Sequence, residues 1–190
     1  MRAALGGFDA FTAQSLDIDG GRFVVRRAES RDLPTLVGLL RNDSLGSQRE
    51  HLDDGDLTAY EQAFDLIAAD PNQLLVAVDA LPDADVAGPS TVDVSGSARD
   101  SAIVGTLQLS LIPGLARTGA LRLQIEAVRI APAFQGRGLG RAVFEWAHSC
   151  GRTAGATLVQ LTTDKSRTDA HRFYDRLGYV ASHEGLKRQL

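Results

Sequence analysis

The sequence predicts an α/β fold, a mixed sandwich in which helices flank one central sheet. Three observations predict it. Strand-like and helical periods follow one another in the order βααβ-ββα-βα-β. The 190 residues, 44% apolar and 23% charged, suit one domain with its own core. A glycine-rich stretch at 135–140 sits between a strand and a strongly amphipathic helix.

Each element has a local reason. Residues 1–21 read as a flexible leader, punctuated by Gly6-Gly7 and Gly20-Gly21, and the folded domain is expected over 22–190. The β-branched and aromatic run 22–27 (RFVVRR) is the first strand. Ser30 can cap a helix with Asp32 in its first turn, and Leu33, Leu36, Val37 and Leu40 give that helix one apolar face. The polar segment 41–56 reads as a loop; Leu57, Tyr60, Phe64, Ile67 and Ala68 then restore the helical period until Pro71.

Residues 74–78 (LLVAV) form a strand, and 81–101, rich in Asp, Gly, Pro and Ser, form a flexible insertion before the alternating strand 103–111. A turn at Pro113-Gly114 leads to a fourth strand, 121–130 (LRLQIEAVRI). The helix that follows places Leu139, Ala142, Val143, Trp146, Ala147 and Cys150 on one face. A fifth strand at 157–162 precedes a short helix capped by Thr168 or Asp169, running through Leu177 and closed by Gly178 in the left-handed conformation. One or two last strands are expected from Tyr179 onward.

Composition excludes several classes of function. The net charge is −4 and the basic residues form no long run, which disfavours a nucleic-acid binder. No stretch approaches the roughly 20 apolar residues of a membrane helix, and the first residues carry no secretory pattern. A single cysteine, Cys150, rules out an intrachain disulfide and favours a reducing compartment, so a cytoplasmic location is expected. Asp53-Asp54-Gly55-Asp56 lacks the spacing and terminal Glu of a calcium loop; His171 and His183 lack partners at ligand spacing. No metal is expected. Cys150, on the apolar face of its helix with no paired base, reads as a core thiol.

The stretch Gln135-Gly136-Arg137-Gly138-Leu139-Gly140 carries the functional signal. Glycine lets backbone approach a ligand closely, and a helix N-terminus adds unpaired N–H groups and a positive dipole end. Together they make an anion cradle of the kind that holds a pyrophosphate, with Arg137 and Arg141 at its edge. The dinucleotide fingerprint fails, because its third glycine would fall on Arg141 or Val143. A P-loop fails because no Gly-Lys pair exists in the chain.

Residues 135–140 resemble the acyl-CoA motif Q/R-x-x-G-x-G/A of the GNAT superfamily, and Val128-Arg129-Ile130-Ala131-Pro132 resembles the strand and turn that lead into it. Ala170-His171-Arg172-Phe173-Tyr174-Asp175-Arg176-Leu177-Gly178-Tyr179 resembles the second family signature, A-x-x-x-Y-x-x-x-G-F/Y. The likeness covers about residues 22–190, and the segment 161–179 with Ser182-His183 is similar to a subgroup that includes aminoalkylphosphonate acetyltransferases.

The resemblance implies a mostly antiparallel sheet whose fourth and fifth strands splay apart. Acetyl-CoA would lie in that wedge, its pantetheine along Val128, Arg129 and Ile130 and its pyrophosphate on Gln135, Gly136, Arg137, Gly138, Leu139, Gly140 and Arg141. It also implies Tyr174 as the acid that protonates the CoA sulfur, and Glu126, nine residues before Gln135, as the base for the amine. Strand alternation would put Gln124 and Val128 on the face of Glu126. Many members carry Asn seven residues before the tyrosine, where this chain has Arg167, which with Tyr174 is expected to contact the cofactor.

The expected activity is N-acetylation of a primary amine, by direct attack in a ternary complex. The acceptor is read as a small molecule that also carries an acid group, with Arg49, Arg117 and Arg122 as its candidate partners. The acidic loop residues Asp43, Glu50, Asp53, Asp54 and Asp56 would instead suit a polycation. A non-catalytic acyl-CoA sensor and a protein-directed acetyltransferase are the alternatives. Homodimers are common in the superfamily.

Overall fold

A computed structural model describes residues 7–42, 54–82 and 101–189. Six strands form one sheet in the order β1-β2-β3-β4-β5-β6. They are β1 (Gln14–Ile18), β2 (Gly21–Arg27), β3 (Gln73–Ala80), β4 (Ala102–Pro113), β5 (Leu121–Ile130) and β6 (Leu158–Leu161). Neighbours pair antiparallel from β1 to β5; β6 alone joins in parallel. The helices are α1 (Leu33–Arg41), α2 (Asp54–Ala69), the one-turn α3 (Ala116–Gly119), α4 (Leu139–Thr153) and α5 (Thr168–Arg176).

Strand alternation divides the core in two. Leu74, Val76, Val78, Leu107, Leu109, Leu111, Leu123 and Ile125 point to one face and meet Leu139, Val143, Phe144, Trp146 and Ala147 of α4. Leu75, Ala77 and Ile103 point to the other, where Ala28, Leu36 and Phe64 cover them. That second face is also pinned by a buried ion network. Arg26 reaches Asp32 at 2.6 Å and Asp79 at 2.7 Å, and Asp32 accepts the Glu29 N–H at 2.8 Å. Removing either carboxylate would leave a poorly solvated guanidinium half-paired, which is costly.

Residues 7–21 of the expected leader are part of the fold. Residues 14–18 form β1, in register with β2 through Ile18↔Gly21. Asp19 and Gly20 make the turn with φ of 47° and 78°, the left-handed pair that a two-residue primed hairpin demands. Phe8 is buried; its N–H donates to Pro71 O, and its carbonyl accepts from Arg27 Nη2, each at 2.7 Å. The strand was missed because its pattern is mostly exposed, although Asp-Gly is itself a hairpin signal.

Other boundaries shift for local reasons. Ser30 does not cap α1: it opens a 3-10 turn, Ser30–Asp32, for which Glu29 is the cap in a reciprocal box with Asp32. Arg167, not Thr168 or Asp169, is the N-cap of α5. Gly178 is left-handed with φ 84°, as its position after the helix requires. No strand follows Tyr179 among the described residues, where 180–189 lie exposed. Helix α2 begins at Asp54, inside the segment read as a loop. Residues 83–100 of the insertion, and Asp43, Arg49, Glu50 and Asp53 of the loop, lie outside the described residues.

Candidate active site

Three elements converge where the sheet opens. β5 pairs with β6 only from Arg122↔Leu158 to Ile125↔Leu161, and then runs on alone from Glu126 to Ile130. The two strands therefore splay, and the β5 edge facing β6 makes no ladder hydrogen bonds over that stretch, where side chains reach two carbonyls: Arg129 Nη1 donates to Val128 O and Gln135 Nε2 to Ile130 O, each at 2.8 Å. At the same place β5 carries a bulge. Gln108 pairs with Glu126 but Thr106 pairs with Arg129, so Ala127 and Val128 together oppose Leu107. Ala127 takes φ 53°, a left-handed conformation rare for a residue with a side chain, and such outliers cluster at functional sites.

The bulge corrects one expectation. Gln124 does share the face of Glu126, but the extra residue turns Val128 back toward the main core, where it packs beside Ile130. Glu126 is exposed and makes no hydrogen bond or ion pair among the described residues.

Beyond β5 the chain makes a 3-10 turn and enters the glycine stretch. The Gln135 side chain donates to Ile130 O at 2.8 Å, tying the stretch to the strand end. Gly136 and Gly138 hold φ of 74° and 82°. A Cβ on Gly136 would meet nothing within 4 Å, so its surface is open. Gly138 is the N-cap of α4 and supplies no side chain to the helix, leaving the first-turn N–H groups facing outward. Its own Cβ position lies 3.4 Å from Ile18 of the β1–β2 hairpin, which backs the loop from behind. Leu139 is buried in the core as the anchor of α4, and Gly140 approaches Phe173 of α5. Arg137 is exposed; Arg141 pairs with Glu145 at 2.7 Å on the surface. This backbone fits a pyrophosphate: open amides, a helix dipole and space where side chains would stand.

Tyr174 stands on α5 in a ring of aromatics, with Phe144 at 5.6 Å, Phe173 at 5.5 Å and Tyr179 at 5.8 Å between centroids. Its hydroxyl makes no hydrogen bond among the described residues and is not among the buried unsatisfied atoms, so it is available as a donor. Burial pushes the phenol above its ordinary value, while Arg167 and Arg129 pull it back by charge. Tyr174 packs on the α4 face of the sheet and Glu126 lies on the opposite face, on either side of the splayed edge.

The remaining candidates have plainer places. His171 Nε2 lies 3.1 Å from Asp164 O, and His183 Nδ1 lies 2.8 Å from Ser182 Oγ. Burial pushes the half-buried Cys150 thiol up to about 11, so it is no thiolate nucleophile at neutral pH. Arg117 is exposed in α3 with φ 55°, and Arg122 shares the β5 face of Glu126. Among the described residues no group of three or more His, Cys, Asp or Glu could hold a metal, and no helix is long and apolar enough to cross a membrane.

His148, which sequence reasoning passed over, hydrogen-bonds Tyr179 Oη at 2.7 Å behind the aromatic ring. Burial, then Arg152, lowers its affinity for a proton, against a smaller opposing pull from Glu145. A histidine lowered in the fold contributes stability that is full above its unfolded pKa, near 6.5, and is lost as pH falls through the folded value. Thermal melts of the wild type should therefore drop below pH 6.5, and His148→Asn should flatten that drop. At pH 7.5 the variant should melt about 2–4 °C lower for roughly 1 kcal/mol of lost hydrogen bond. An unaltered pH profile would remove His148 from this role.

Comparison with known proteins agrees with this arrangement. The family model described as Acetyltransferase (GNAT) family matches residues 57–179. A solved transcriptional regulator from Bacillus halodurans C-125 is 36% identical, with a TM-score of 0.73 over 88% of this chain and 99% of that one. A putative acetyltransferase from Agrobacterium tumefaciens has the same fold at 23% identity, with a TM-score of 0.65 over 87% of this chain and 99% of its own. The aminoalkylphosphonate N-acetyltransferase of Salmonella typhimurium is 42% identical over 60 residues, which span 32% of this chain and 39% of that relative. The chain belongs to the GNAT acetyltransferase family.

Proposed function

We propose that the protein transfers the acetyl group of acetyl-CoA to the primary amine of a small molecule within a ternary complex. The observation that carries the proposal is the splayed edge of β5, Glu126 to Ile130, running directly into the open backbone of Gly136 and Gly138. A pantetheine arm pairs with such an edge as a third strand would, and a pyrophosphate ends on such a cradle. Val128, Arg129 and Ile130 would hold the arm; Gln135, Gly136, Arg137, Gly138, Leu139, Gly140 and Arg141 would form the cradle. The exposed Arg141–Glu145 pair is of a weak kind that a phosphate can displace.

Acetyl-CoA supplies the activated thioester. The chain's residues move the protons. A lysine-like ammonium titrates near 10.4, so the attacking amine must first lose a proton. Glu126 would take it, directly or through water, on the solvent side of β5. The N–H near Val128, displaced by the bulge, would face the oxyanion of the tetrahedral intermediate. Tyr174 would give its proton to the departing sulfur, and Arg167 with Arg129 would stabilise the negative charge that develops there.

A panel of primary amines with acetyl-CoA and purified protein, read by thiol release, tests this reading. Turnover of at least one amine is expected. Tight acetyl-CoA binding with no turnover across the panel would favour a non-catalytic sensor. Within the panel, Glu126→Gln should lower kcat/KM by about 10²-fold near neutral pH, with partial rescue as pH rises and free amine accumulates. A defect independent of pH would remove Glu126 from proton transfer. The relative named for aminoalkylphosphonates supports an acceptor that joins an amine to an acid group.

A further inference from the structure

The face of the sheet that carries Glu126 is unlike the opposite one. Opposite, the strand positions from β3 to β5 are apolar, Leu, Val and Ile apart from Ala80 and Gly105. On the Glu126 face, β4 to β6 present Gln108, Ser110, Arg122, Gln124 and Gln160, joined at the β3 edge by Gln73. Ser110 and Gln124 are only 7% exposed, so this is not simply a solvated surface. Buried amides are tolerated only where their hydrogen bonds are arranged.

The arrangement has a direction. Arg122 Nη1 donates to Gln160 Oε1 at 3.4 Å, and Gln160 Nε2 donates to Gln124 Oε1 at 2.7 Å. A guanidinium has donors and no acceptor, so Gln160 must turn its oxygen to Arg122 and its NH2 to Gln124. Gln124 must then receive with its oxygen, and its own NH2 is left to donate onward. This row, Gln124↔Gln160 in register, ends in donors backed by a cation.

The next row has the opposite polarity. Gln108 pairs in register with Glu126. Gln108 Nε2 donates to Gln73 Oε1 at 3.1 Å, which leaves the Gln108 oxygen as an acceptor in the same cross-strand row as the Glu126 carboxylate. Between them Gln73 Oε1 takes up the Ser110 hydroxyl at 2.6 Å as well as the Gln108 NH2, so the Gln124 amide and the Arg122 guanidinium remain as donors and the Gln108 oxygen and Glu126 as acceptors, two residues away along β5, about 7 Å.

We infer that this face is the acceptor subsite and that Gln124 and Gln160, with Arg122, select a zwitterionic primary amine. Its ammonium lies over Gln108 and Glu126, and its carboxylate or phosphonate lies over Gln124 and the Arg122 guanidinium. The separation of the rows suits an amine and an anionic group parted by a few carbons. This inference rests on the acetyltransferase reading above.

The test compares 4-aminobutyrate and 3-aminopropylphosphonate with butylamine and spermidine, for the wild type and for Gln160→Met and Arg122→Met. Acetyl-CoA affinity is measured by calorimetry alongside. The wild type should favour the zwitterions over butylamine in kcat/KM by about tenfold or more, the value of one or two charge-assisted hydrogen bonds. Each variant should lose most of that preference through KM rather than kcat. Faster acetylation of butylamine or spermidine, or an equal loss on all four amines, would overturn the inference while leaving the acetyltransferase reading in place. If acetyl-CoA does not bind and no amine releases thiol, both fall.

Discussion

Tyr174→Phe should lower kcat by about 10²–10⁴-fold with acetyl-CoA affinity nearly unchanged. The substitution keeps the ring and hence the edge-to-face contacts with Phe144, Phe173 and Tyr179. It removes a hydroxyl that makes no hydrogen bond among the described residues, so stability should hold. Only the proton available to the leaving sulfur is lost. Because burial holds the phenol above its ordinary value of 10.0, the acid stays protonated across the neutral range, and the alkaline limb of kcat should lie above pH 10. The charge of Arg167 lowers that phenol, so Arg167→Gln should move the limb further upward. Stopped-flow thiol release against pH reads both effects. A Tyr174→Phe enzyme as fast as wild type would reduce Tyr174 to a member of the aromatic ring.

Gly138→Val should abolish most acetyl-CoA binding, raising Kd by tenfold or more for about 1.4 kcal/mol or more of lost interaction. Two costs coincide at this position. A φ of 82° is strained for any side chain, at about 1–2 kcal/mol. The Cβ itself would sit in ordinary van der Waals contact, 3.4 Å from Ile18 of the β1–β2 hairpin. The β-branched methyl groups would stand at the N-cap of α4, where the proposed cradle would present its first-turn amides to a phosphate. The fold should survive, with melting lowered by about 2–8 °C. Calorimetry against acetyl-CoA, run beside the melt, separates the two effects. Unchanged affinity would sink the cradle assignment.

Local signals in the sequence were enough for most of the elements. The apolar period of 139–150 foretold α4, although it passed over Phe144, the residue around which the aromatic ring assembles. Strand alternation foretold the buried half of β4, Leu107, Leu109 and Leu111. Where local and tertiary signals parted, tertiary pairing won. β1 is too polar to be recognised alone, yet β2 offers it an edge and Asp19-Gly20 a turn. The run after Tyr179 looked able to form a strand but finds no partner among the described residues.

By itself the sequence determined the class of the fold and carried the glycine and tyrosine motifs on which the proposed site rests, because each depends on residue types at short spacing. Only the tertiary structure decided which way the β5 side chains point. The bulge at Ala127 adds one residue, and a period of two then inverts every position beyond it, so Val128 leaves the face of Glu126. The tertiary structure alone also joined Arg122, Gln124, Gln160 and Gln108, which lie on three strands up to 52 positions apart and meet only across the sheet. No pattern along one chain can show a row that runs perpendicular to it.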